Sequence, residues 1–162
     1  MAKSSADGPD KRKKAPTWPE LAAETDGKKA QWIRGRNHTE FAPCGIEWDA
    51  VSVRPMQLGV DALVAMRIGT RLGYPIVADR LCGVLYVLVP PGSADLFVGI
   101  PGVRVLDRGH QLLVPRTAYD SSPAADGVGT PRDVDNLVLV RPDRLAARLR
   151  DLAPAYEEAM AS

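Results

Sequence analysis

Gly83-Val84-Leu85-Tyr86-Val87-Leu88-Val89 is a nearly continuous apolar run, and Pro90-Pro91-Gly92 stops it. A short unbroken apolar run between turn signals reads as a β-strand buried on both faces. The expected core is therefore Val84, Leu85, Val87 and Val89, with Leu63 and Leu149 packing on them from helices. Upstream, Pro75-Ile76-Val77-Ala78 is a second short strand. Glu47-Trp48-Asp49-Ala50-Val51-Ser52-Val53 is a third, with Trp48, Ala50 and Ser52 on one face and Asp49, Val51 and Val53 on the other. Between them Pro55 opens a helix that runs to about Leu72, and Gly73 closes it with a left-handed turn. Downstream, residues 103–106 and 111–114 flank Asp107-Arg108-Gly109-His110 as a four-residue hairpin. Residues 116–136 are polar and rich in Ser, Asp, Gly and Pro, a long surface loop. Leu137-Val138-Leu139-Val140 reads as a last strand, and Pro142 starts a closing helix that Pro154 breaks. Arg144, Arg148 and Arg150 lie on its solvent face. Strands grouped between two helices predict an α+β fold, a mainly antiparallel sheet with two packing helices.

The chain has 162 residues, 45% hydrophobic and 25% charged, enough for one globular domain without metals or disulfides. Its net charge of +1 is unevenly spread. Residues 1–36 carry nine basic and five acidic groups, whereas 37–162 carry twelve and fifteen. The expected organisation is a basic, largely disordered arm over 1–36, a single α+β domain over 37–153, and a tail over 154–162. An acidic-leaning body with a basic arm makes a poor general nucleic-acid binder, with the arm left to contribute phosphate contacts. No apolar run approaches the ~18 residues that span a bilayer, so no membrane partner is expected and a cytoplasmic setting is.

Few residues signal chemistry. No phosphate-cradling loop is spelled; the glycines at 99, 102 and 109 read as turn glycines. Cys44, Cys82, His38 and His110 have no zinc-ligand spacing, and Cys82 beside the apolar strand reads as core. Asp133-Val134-Asp135 is the chain's one Asp-x-Asp, in a polar loop where solvated turn residues are the rule. A divalent metal is expected only if Asp49, or Asp133 with Asp135, forms a site; otherwise no cofactor is.

Pro43-Cys44-Gly45-Ile46-Glu47-Trp48-Asp49-Ala50-Val51, the strand ending in Val89-Pro90-Pro91-Gly92, and the segment from Val103 to Pro115 follow one another in a recognisable order. Over about residues 41–152 the chain resembles small actinobacterial proteins similar to the N-terminal domain of bifunctional DNA primase/polymerases (prim-pol). The resemblance implies an RNA-recognition-like sheet with helices packed on it. It also implies a metal held by acids closing the first strand and a histidine on a later strand. Here Asp49 remains, but Ser52 and Val53 follow it, and Gly83-Val84-Leu85-Tyr86 has no histidine.

The reading that results is a non-catalytic prim-pol-like domain, with Asp49 as the remnant of a metal-binding strand. It would contact nucleic acid or a nucleotide through Arg104, Arg108, His110 and Arg116, around one hairpin. The alternatives are a regulatory or protein-interaction module with no nucleic-acid role, favoured by an aromatic content of only 6%, and a small enzyme of another type.

Overall fold

The computed structural model describes residues 39–69, 73–115, 122–129 and 138–161. The arm over 1–36, Arg116, Asp133 and Asp135 lie outside these. In chain order the elements are β1 (Thr39–Pro43), β2 (Asp49–Val53), α1 (Met56–Ala65), β3 (Ile76–Asp79), β4 (Val84–Val89), a 3-10 turn (Ala94–Phe97), β5 (Val103–Leu106), β6 (Gln111–Pro115), β7 (Asp126–Gly129) and α2 (Pro142–Ala161). The expected α+β fold is present: two antiparallel sheets and two helices.

The larger sheet has the order β5-β2-β4-β3-β7, so the apolar strand β4 is central. Alternation decides what each face meets. Val51, Val53, Ile76, Ala78, Leu85, Val87 and Val89 face the helices and pack on Leu58, Leu63, Leu145 and Leu149. Ala50, Val77, Leu88 and Leu106 face the other way and pack on Ala42, Leu112 and Val114 of the β1–β6 ribbon. The expected core residues are all buried. The structure thus has three layers, helices, sheet and ribbon.

Gly59 explains how closely α1 lies on the sheet: a Cβ there would sit 2.7 Å from Leu85 Cδ2. Helix-interior glycine costs about 0.5–1 kcal/mol of propensity, which the close packing offsets.

Four expectations are corrected. First, β5 and β6 do not pair; β5 joins β2, and β6 joins β1. The loop Asp107 to His110 is a corner between sheets, because the ribbon must cross to cover an apolar face the helices cannot reach. Second, α1 ends at Ala65 rather than near Leu72. Arg67 adopts φ 60, and its N–H and that of Ile68 donate to the carbonyls of Val64 and Leu63. This is a Schellman closure with arginine where glycine is usual. Third, residues 138–140 form no strand, although Val140 N–H donates to Leu88 O. The polar stretch instead supplies β7, which extends the sheet beyond β3. Fourth, α2 runs through Pro154 to Ala161. Proline removes one helical hydrogen bond. Buried Ala153 before it and the Tyr156 hydroxyl, which donates to Asp61, hold the continuing helix to the body.

Candidate functional site

Asp49 opens β2 and is almost fully buried. Its Oδ2 accepts from Gly92 N–H at 2.8 Å, fixing the Pro90-Pro91-Gly92 turn, while Oδ1 has no hydrogen-bond partner among the described residues. The segment leading to it is built as a tight corner. Cys44 N–H donates to His110 O, and Gly45 N–H donates to Trp48 O. Gly45 has φ 88, and a Cβ on it would come within 2.6 Å of Arg108 Cα. Only glycine combines that backbone with that approach. Burial pushes the Cys44 thiol up to about 12, and the nearby carboxylates of Asp49 and Asp107 add to the effect. The Cys-Gly-x-x-Trp-Asp pattern therefore has a structural reading in full: it fastens the ribbon to the sheet.

Beside this corner lies a pocket of about 310 Å³ lined by Asp49, Asp95, Asp107, Arg108, Gly45 and Gly92 among others. Three carboxylates and one guanidinium make it a poor seat for phosphate. Among the described residues no group of three or more His, Cys, Asp or Glu is arranged to hold a metal ion.

The structure separates the other predicted site residues. Arg108 belongs to the acid-lined pocket, and His110 Nδ1 lies 3.3 Å from Asp107 Oδ1 in the same corner. Arg104 stands apart on β5, exposed. It pairs with Ser52, which pairs with Tyr86, which pairs with Val77. These four form one row across the sheet, on the face that carries the ribbon. Ser52 and Tyr86 are only half-buried there, so the ribbon leaves this end of the face partly open. Burial raises the Tyr86 hydroxyl above its ordinary range; Asp79 and Cys82 act in the same sense, and Arg104 and Arg54 oppose them. Arg104 shares a row with Tyr86, and Arg54 follows the end of β2.

Sequence reasoning missed Tyr86 and Arg54. The signal was available for Tyr86, since it shares parity with Leu88 and so faces away from the helices. Cys82, expected in the core, is exposed in the turn between β3 and β4, where its N–H donates to Asp79 Oδ1. A second feature was also missed. Arg67, with Arg141 just before α2 and Arg144 and Arg148 in its first turns, lines one cleft of about 490 Å³.

No family model, no curated protein and no solved structure matches the chain.

Proposed function

We propose that this is a non-catalytic, prim-pol-like domain that contacts single-stranded nucleic acid through the open end of its sheet. The observation that carries the reading is the row Arg104–Ser52–Tyr86: a half-buried aromatic residue on the central strand in one row with an exposed arginine, and Arg54 just past the end of β2. Sheet-borne aromatics stack on unpaired bases, and arginines neutralise the adjoining phosphates. From β2 on, the element order, β-α-β-β followed by further strands and a closing helix, supports the RNA-recognition-like arrangement the resemblance implies. No strand synthesis is expected. Asp49 has one oxygen committed to Gly92. Asp95 and Asp107 line the same pocket, but the three are not gathered into a metal-holding group among the described residues. Two metals about 3.5–4 Å apart need shared acidic ligands.

The test is binding of a fluorescent oligo(dT) and oligo(U) across a salt series, beside Arg104→Ala and Tyr86→Ala. The expected result is weak binding lost with rising salt, with a shallow slope of about 0.7 per phosphate neutralised, and weakened by either substitution. No binding at low salt, or binding indifferent to both substitutions, overturns the reading. A primer-extension assay with Mg²⁺ and then Mn²⁺ should yield no product.

A further inference from the structure

The cleft between the end of α1 and the start of α2 carries four arginines and, among the described residues, no acidic residue on its wall. Arg67 comes from the closure of α1; Arg141 immediately precedes α2, and Arg144 and Arg148 come from its first turns. All four are exposed. Arg141 is paired with Asp143 at 3.0 Å, and Arg148 with Asp151 at 3.7 Å. Arg67 and Arg144 line the cleft with no acidic partner among the described residues.

The backbone adds to this field. The start of α2 lies at the cleft, and a helix N-terminus carries partial positive charge. The end of α1 would oppose it with bare carbonyls, but those of Ala62, Leu63 and Val64 accept from the N–H groups of Met66, Arg67 and Ile68. Arg67 also holds a left-handed backbone, which costs a non-glycine residue roughly 1–2 kcal/mol. Glycine at this position would relieve that cost and remove a charge from the cleft.

We propose that this cleft binds a compact polyphosphate group. Its volume lies within the roughly 300–1,000 Å³ of small-molecule sites. Guanidiniums converging from two elements suit an anion with several phosphoryl oxygens close together. An extended strand fits less well. Beyond Arg148 the helix offers Arg150, whose guanidinium donates to the carbonyls of Leu96 and Val98, and then only Asp151, Glu157 and Glu158 as charged residues. No basic track leads away along α2. The site lies on the helix side of the sheet, away from the Arg104–Tyr86 row, and stands independently of the reading given to that row.

The experiment is titration calorimetry of the full chain with sodium tripolyphosphate, ATP and an oligo(dT) of about twenty nucleotides. Each is repeated with Arg144→Ala/Arg148→Ala and with Arg67→Gly. Saturable one-site binding of tripolyphosphate is expected, weakened about tenfold or more by the double substitution and more modestly by Arg67→Gly. Equal affinity for ATP and tripolyphosphate assigns the site to the polyphosphate group alone; tighter ATP assigns it to a nucleoside polyphosphate, with Tyr74 and Ile68 supplying the apolar wall. Failure of both to bind, or binding unchanged in both variants, overturns the proposal. So does oligo(dT) that competes with tripolyphosphate and is weakened more than it by the same substitutions. Oligo(dT) binding that ignores them and depends on Arg104 leaves the polyphosphate site standing and belongs to the sheet.

Discussion

The corner at Asp49 and the cleft at Arg67 are opposites in construction. At the corner the packing is close: Gly45 lies against the Arg108 backbone, Asp49 holds Gly92 through one oxygen, and Cys44 and Trp48 are buried. At the cleft four long side chains stand exposed, two without a countercharge among the described residues, and one of them, Arg67, is held in an unfavourable backbone conformation. The first arrangement stores stability. The second gives some stability up. The residues that carry the family resemblance lie at the corner, so they report on how the chain folds more than on what it binds.

Substitutions at the two places should therefore read out differently. Gly45→Val should destabilise most, by more than about 3 kcal/mol, since left-handed backbone alone costs up to that much and the Cβ would overlap Arg108. Denaturant unfolding measures it, and a small loss would show the corner to be loose. Asp49→Ala leaves the Gly92 N–H unpaired and should cost about 1–3 kcal/mol. Asp49→Asn, which keeps the acceptor, should cost less. At the cleft the sign reverses: Arg67→Gly should raise stability by about 1 kcal/mol. Arg144→Ala/Arg148→Ala should leave stability within about 0.5 kcal/mol, as exposed positions do. If these arginines proved as costly to remove as Asp49, the contrast would collapse. The smallest effect near neutral pH concerns Cys44. Its thiol is raised above the ordinary 9.0 to about 12 in the folded protein, so folding favours the protonated form. That contribution is complete below about pH 9 and is lost as pH rises toward 12. A thiol reagent at pH 8 should label exposed Cys82 readily and Cys44 only on unfolding.

The readable parts of the sequence were those with a period. The parity of β2, the apolar run of β4 and the helical spacing of Leu145 and Leu149 placed the core. Pairing was not readable in the same way. Residues 103–106 and 111–115 look like a hairpin because the loop between them is short, yet each strand finds a different partner once the ribbon covers the sheet. Asp126-Gly127-Val128-Gly129 has almost no apolar signal, because as an edge strand it contributes mainly backbone hydrogen bonds. Pro154 ends helices by local rule, and tertiary contacts on both sides of it overrode that rule here. The cleft was hidden for a different reason. Arg67 and Arg144 are far apart in sequence and meet only because α1 and α2 pack on each other. Arg144 and Arg148 are indeed on an exposed face; their partner across the cleft was the missing information.

Trp48 sits in the apolar layer between ribbon and sheet with no exposed surface. An indole so placed emits at short wavelength, and its emission reddens when water arrives. The ribbon is joined to the larger sheet by the Cys44–Asp49 and Asp107–His110 corners and by the apolar contacts of Ala42, Leu112 and Val114, with no strand pairing between the two sheets. It is therefore expected to lift as a unit before the helices melt, in the manner of a local opening. In a Trp18→Phe/Trp32→Phe background, Trp48 fluorescence followed beside helical circular dichroism would then separate into two transitions. The protein carries its own optical gauge of whether its third layer is docked.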